Sequence, residues 1–362
     1  MKISIITLHR VFNYGSVLQA YATQEILKNY NLETEIIDYI PKEWQTKHLL
    51  FDISKSNGFI KDNIYRLLRA FSVFLKQKTF WKFLKKNVNM TRTYKSYEEL
   101  LKNPPKSDIY CTGSDQVWNS DFCHMDKAFF LRFGNKNTKR IAYAASMGNT
   151  VLEKEEEETI SEYIKDYSHV AVREDAAVDI LERMGFSSAC VIDPTLQIER
   201  ETWLKLSSKR LIKEKYLVLM LLYNEDNNAT EIARKIADEK GLKLVKISWE
   251  LKKPELVDIL MTHRSVEDFI SLIHYADFVV TNSFHALAFS INLNKQFIAI
   301  KRNVHNSRLD SILKLTNLEE RLVDLLYSKE ITDKIIDYNP VNKTLETERK
   351  KTHRFLEVAL NG

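Results

Sequence analysis

Glycine is scarce in this chain, with 8 in 362 residues, about 2% against a usual value of about 7%. Its closest pair, Gly134 and Gly148, stands 14 positions apart. The dinucleotide fingerprint GxGxxG, the Walker A loop and the GxSxG elbow each need two or more glycines within about seven positions, so all three are excluded. Cysteine is scarcer still. Cys111, Cys123 and Cys190 are odd in number and far apart, with no CxxC or HExxH anywhere, so reduced thiols and no structural metal are expected. Long apolar runs are absent as well: no stretch reaches the roughly 18 residues of a membrane span. The opening Met1–Leu8 is apolar but ends at His9-Arg10 without a small-residue cleavage site, and it reads as a buried first strand. A cytoplasmic location follows as the expectation. What is present is ordinary for a globular protein, 44% hydrophobic and 28% charged, and the length fits two domains of roughly 100 to 200 residues.

Charge is unevenly placed. Residues 61–95 hold ten Lys/Arg and one acid, Asp62, a local +9 in a chain whose total is +5. Aromatic and aliphatic residues, among them Phe71, Phe74, Trp81 and Phe83, interleave with these charges, a spacing that fits an amphipathic helix pair on an anionic membrane surface. A solvated basic face over ordinary core contacts is the plainer reading. No nucleic-acid module accompanies the patch, and no nucleic-acid partner is expected.

Strand-like and helix-like segments alternate, which predicts parallel sheets covered by helices on both faces. Strands are expected at Ile3–Leu8, Glu35–Tyr39, Asp108–Thr112, Arg140–Ala145, Val170–Val172 and Ala189–Ile192. A second series follows at Tyr216–Leu222, Lys243–Ile247, Phe278–Thr281 and Phe297–Ile300. Asp193-Pro194 halts the pattern, so the boundary is placed between 195 and 213. The expected organisation is a Rossmann-like domain over 1–195 that carries the basic helical segment 58–95, a second over 213–335, and a C-terminal helix within 336–362. Two such α/β halves facing a cleft would bind ligands at the carboxyl ends of their strands.

Four polar clusters follow predicted strands. His9–Ser16 (HRVFNYGS) includes Asn13, Tyr14 and Gly15 and precedes a helix, where exposed N–H groups favour an anion; a polar turn capped by Ser16 is the alternative. Gly113–Asn119 (GSDQVWN) offers Ser114, Asp115, Gln116 and Trp118, groups that suit a sugar ring, although Trp118 fits a core equally well. Arg173 stands between a strand and a helix, as a clamp for phosphate or carboxylate or as the partner of Asp193 or Glu174. Thr281–Ala286 (TNSFHA) sets His285 in the first turn of a helix, where a bound dianion would favour its charged form. Lys301-Arg302 adds positive charge after the next strand.

Taken in order, MKISIITLHRVFNYGSVLQAYATQEILK, CTGSDQVWN, YAASMG, VREDAAVDILERMG with VIDPTL, and TNSFHALAFSINLNKQFIAIKR resemble the polysaccharide pyruvyl transferase family over about residues 1–325. The resemblance implies a GT-B-like fold and transfer of pyruvate from phosphoenolpyruvate to a hydroxyl pair of a cell-surface glycan, giving a ketal without a metal or redox cofactor. Arg173 then matches the family's arginine for the donor's phosphate or carboxylate. His285 matches the histidine of an Arg-x-His pattern whose arginine is replaced here by Ser283, and Lys301 is the nearest candidate for a further donor contact. The resemblance casts His285 as proton donor, with Arg173→Ala or His285→Ala expected to lower turnover while leaving the fold intact. Asp115 is the expected acceptor base, and Asn13, Tyr14, Gly15, Ser114, Gln116 and Trp118 are assigned to acceptor binding. A lipid-linked acceptor would explain the basic segment. A nucleotide-sugar glycosyltransferase and a non-catalytic family member remain as rival readings.

Overall fold

The computed structural model describes residues 1–11, 13–41, 44, 59–222, 227–250, 252–301, 306–324 and 328–361, with the backbone alone for 59–69 and 227. Phe12, Gly58 and Arg302, and the side chains of Lys61, Asp62, Arg66 and Arg69, lie outside the described residues.

The central strands of each sheet are short and predominantly apolar. The strands β1 (Lys2–Ile6), β2 (Glu33–Ile36), β3 (Ile109–Thr112), β4 (Lys139–Ala145), β5 (His169–Val172) and β6 (Ala189–Cys190) form the first, in the order β2-β1-β3-β4-β5-β6. The second contains β7 (Tyr216–Met220), β8 (Lys243–Ser248), β9 (Ile259–Thr262), β10 (Phe278–Thr281), β11 (Phe297–Ile300) and β12 (Leu322–Val323), in the order β12-β11-β10-β7-β8-β9. The resolved pairings are parallel, with Ile3 opposite Ile109 and Val279 opposite both Phe297 and Val218. All residues of β3, β7, β10 and β11 are buried, which is why these strands read as unbroken hydrophobic runs instead of alternating ones. The α/β expectation holds for both halves.

Two strands escaped the sequence reading. In β9 only Met261 is buried, and β12 is two residues long, so neither shows a hydrophobic run or an alternation long enough to detect. The expected helix pair in the basic region is a single helix, Phe59–Asn87. Residues 194–206, where the strand pattern halts, hold two short helices, Pro194–Gln197 and Arg200–Leu206.

The boundary differs from expectation as well. One compact unit comprises Met1–Met147, Val151–Val172 and Leu181–Ser188; the other comprises Gly148–Thr150, Arg173–Ile180 and Ala189–Gly362. Residues 189–195 thus belong with the second half, because their polar partners are there. Asn292 Nδ2 donates to the carbonyls of Thr195 and Ile198 at 2.8 Å, and Arg349 Nε donates to that of Leu196 at 2.9 Å. The C-terminal helix, Tyr338–Asn361, is accordingly part of the second unit, with Val341, Leu345, Leu356 and Leu360 buried.

Candidate functional site

In the second unit the turn after β10 is fixed by its own side chains. Thr281 Oγ1 donates to the Met220 carbonyl at 2.6 Å and accepts from Ser283 N at 3.0 Å, while Asn282 Oδ1 accepts from Leu222 N at 2.8 Å. Ser283 caps the helix Phe284–Asn292 through its hydroxyl, as N-cap serines do. His285 is thereby held in the first turn, 8% exposed.

Arg173 and His285 converge on Asp193. Arg173 Nη1 donates to Asp193 Oδ2 at 2.5 Å, and His285 Nε2 lies 4.0 Å from the same oxygen. The other oxygen, Oδ1, accepts from Thr195 N at 2.8 Å and Thr195 Oγ1 at 2.6 Å. Burial opposes ionisation of Asp193, but the Arg173 charge, then His285, then the Thr195 bonds outweigh it and bring the carboxyl down to about 2. The Arg173–Asp193 pair weighed at the sequence level is therefore present. One expectation is corrected by it: Arg173→Ala would strand a buried carboxylate, at a cost of about 3–5 kcal/mol, so that variant does not test chemistry alone.

Beside this cluster lies a cavity of about 80 Å³ whose walls include Arg173, Asp193, Phe284, Arg308, Cys190 and Lys351; His285 does not line it. The Arg173 guanidinium carbon sits 4.6 Å from the Phe284 ring centroid and that of Arg308 sits 5.8 Å from the same centroid. Lys301 follows β11 with its side chain exposed and its N–H bonded to the Val323 carbonyl at 2.9 Å.

In the first unit the structure joins two of the expected clusters. Thr7 Oγ1 donates to the Ser114 carbonyl at 2.7 Å, Gln19 Nε2 donates to Thr7 Oγ1 at 2.8 Å, and Ser16 Oγ donates to Asp115 Oδ2 at 2.9 Å. Asn13 is the cap of the helix Tyr14–Lys28, accepting from Ser16 N at 2.7 Å, so the expected capping role of Ser16 passes to Asn13. Asp115 adopts φ 78° and its Oδ1 accepts from Gln116 N, which fixes the carboxylate locally. Tyr14, Gly15 and Ser114 are buried and Gln116 is half-buried.

Trp118 does not serve as a sugar platform. It has no exposed surface, stacks on Phe130 with centroids 5.8 Å apart and 3° between planes, and donates Nε1–H to the Phe129 carbonyl. An indole with both its face and its polar edge satisfied inside the protein is a core residue.

Sequence reasoning missed a third cluster. Asp38, just beyond β2, accepts from His9 Nε2 at 3.0 Å, Arg10 Nε at 2.6 Å, Arg10 Nη2 at 2.5 Å and Thr93 Oγ1 at 2.5 Å. Arg10 also stacks on Trp81, 3.8 Å from the ring centroid. Burial disfavours the Asp38 anion, yet the bonds from His9 and Arg10 and then Thr93 hold its carboxyl well below the usual range. The available signal was an acid directly after one buried strand and a His-Arg pair just after its neighbour.

The polysaccharide pyruvyl transferase family profile matches residues 13–303. No curated protein matches the chain in sequence. Among solved structures, UDP-GlcNAc 2-epimerase from Methanocaldococcus jannaschii aligns with TM-score 0.51 and 14% identity over 100% of both chains. UDP-N-acetylglucosamine 2-epimerase from Rickettsia bellii aligns with TM-score 0.53 and 12% identity over 99% of this chain and 96% of the other. At such identities the likeness is one of fold, a GT-B-like pair of Rossmann-like sheets. The family match begins at the cap of the first helix, runs through the Arg173, Asp193 and His285 segments of the second unit and ends beyond β11, and the chain belongs to the polysaccharide pyruvyl transferase family.

Proposed function

We propose that the protein transfers the pyruvyl group of phosphoenolpyruvate to two hydroxyls of a glycan, forming a ketal and releasing phosphate. The observation that carries this reading is the convergence of Arg173 and His285 on Asp193 in a chain of this family. In the proposed sequence, His285 delivers a proton to the methylene carbon, which becomes the methyl group. The resulting oxocarbenium-like centre is attacked by one sugar hydroxyl. Phosphate then leaves with the C–O bonding pair, and the second hydroxyl closes the ring. Of the two hydroxyl protons released, one balances the proton taken up by carbon and the other leaves with phosphate.

Arg173 steadies the donor's negative charge, with Lys301 as a further proposed contact. The Asp193 carboxylate lies 4.0 Å from His285 Nε2 and faces the proposed proton donor. Asp115 is the proposed acceptor base. Asn13, Tyr14, Gly15, Ser114 and Gln116 are proposed to shape the acceptor region, where Asn13 and Gln116 are the half-buried members. No metal or redox cofactor enters this scheme.

A thermal-shift panel with phosphoenolpyruvate, UDP-sugars and GDP-sugars tests the donor. A ligand at about 100 times its Kd adds roughly 2.7 kcal/mol. Stabilisation by phosphoenolpyruvate, followed by acceptor-dependent phosphate release that falls at least about a hundredfold in His285→Gln, is the expected result. Stabilisation by a nucleotide sugar alone would replace pyruvyl transfer by glycosyl transfer.

A further inference from the structure

We propose that Arg308, from a different helix, joins Arg173 in an anion site for the donor. Arg308 lies in the first turn of Ser307–Leu315, a helix anchored by buried Leu309, Ile312 and Leu313. Its guanidinium carbon is 5.8 Å from the Phe284 centroid, and that of Arg173 is 4.6 Å from the same ring. Phe284 opens the helix that carries His285, so both guanidinium groups gather at the start of that helix.

Both arginines also line the cavity of about 80 Å³. That volume is far below the roughly 300–1,000 Å³ of pockets enclosing a whole drug-sized ligand, and it suits one anionic group of a donor. The titratable groups on its walls are Arg173, Asp175, Cys190, Asp193, Arg308, Glu348 and Lys351. Asp193 is matched to Arg173, and Glu348 lies 3.5 Å from Lys351. A stacked, largely buried guanidinium is oriented before any ligand arrives, which favours forked recognition of phosphate or carboxylate.

The donor's identity in this inference rests on the pyruvyl-transfer reading; the anion site does not. Calorimetric titration of the full chain with phosphoenolpyruvate and with inorganic phosphate separates the two. Arg308→Gln is expected to weaken phosphoenolpyruvate binding at least about tenfold, and Arg308→Lys to fall between, since it keeps the charge without the fork. Should the glutamine variant fail to fold, the lysine variant carries the comparison. Equal affinity in wild type and folded variants overturns the Arg308 assignment and leaves pyruvyl transfer standing. Arg308-dependent binding of inorganic phosphate without phosphoenolpyruvate binding sustains the anion site and overturns the donor reading, and binding of neither ligand to wild type overturns both.

A separate observation concerns the helix Phe59–Asn87. Phe80, Phe83 and Leu84 are buried, with Phe80 against Tyr14 at 5.2 Å and Phe83 against Tyr21 at 5.9 Å. The opposite side carries Phe71 and Phe74, 56% and 57% exposed, and exposed Lys78, Lys82 and Lys85. These five recur at intervals of three and four residues, hence in one stripe. The geometry points to a peripheral contact with an anionic membrane: aromatic rings enter the headgroup boundary while lysines on the same line meet the lipid charge. Co-sedimentation with neutral and with phosphatidylglycerol-containing vesicles tests it. Binding to the anionic vesicles alone, reduced at least about tenfold in Phe71→Ser/Phe74→Ser and in Lys78→Glu/Lys82→Glu/Lys85→Glu, is expected. No binding by wild type, binding untouched by either variant, or a concentration-dependent dimer that the phenylalanine variant abolishes would overturn it.

Discussion

The two units each contain a buried aspartate attended by an arginine, a histidine and a threonine, and the two sets differ in how the histidine is held. Around Asp38 the set is closed: His9 stands at hydrogen-bond distance, Arg10 binds through two nitrogens, and His9 Nδ1 lies 3.1 Å from the Thr7 carbonyl. Around Asp193 the arginine and threonine bonds are as short, but His285 lies at 4.0 Å, beyond hydrogen-bond distance from that carboxylate. A histidine with both nitrogens engaged by protein oxygens positions a backbone. His285, 4.0 Å from its carboxylate, is the one proposed to exchange a proton with a ligand.

The contrast breaks first at Asp38. Asp38→Ala leaves two basic side chains without their carboxylate, and urea denaturation should show a loss of about 3–5 kcal/mol; a loss below about 1 kcal/mol would mean that the set is not closed. The next effect is Asp193→Asn, expected to cost about 2 kcal/mol near neutral pH, in line with a carboxyl brought from 3.8 down to about 2. Because the folded-state value is the lower one, this stability is complete above pH 4 and is lost as pH falls through about 2. Denaturation of wild type across that window should therefore show a drop that is smaller in Asp193→Asn. The smallest effect sharpens the comparison most. His9→Gln should cost about 1–3 kcal/mol, the range for hydrogen bonds to charged groups, whereas His285→Gln, removing only a 4.0 Å approach to its carboxylate, should cost less while lowering the proposed turnover. Equal stability losses in the two variants would erase the distinction.

The strands that build each sheet were legible because Ile3–Ile6, Tyr216–Met220, Phe278–Thr281 and Phe297–Ile300 are predominantly apolar. The edge strands β9 and β12 were not, since a half-exposed or two-residue strand imposes no pattern. At the site, polarity immediately after a strand pointed to Arg173, Ser283 and His285. The same rule overvalued Trp118, because nothing in the order of residues tells an indole that lines a groove from one that fills a core. Asp38 and Arg308 escaped for a related reason: their partners are distant in sequence, and only folding brings Arg10 to Asp38 or Phe284 to Arg308.

The early position of Arg173 and Asp193, more than ninety residues ahead of His285, governs how the cluster is made. On a ribosome adding about 5–20 residues per second, the arginine and aspartate emerge several seconds before the histidine and before the helix that carries it exists. The second sheet cannot close around them until β10 and β11 have been synthesised, so for that interval a guanidinium and a carboxylate destined for the interior remain in water. Synonymous codon changes that slow translation between residues 195 and 285 would lengthen the wait.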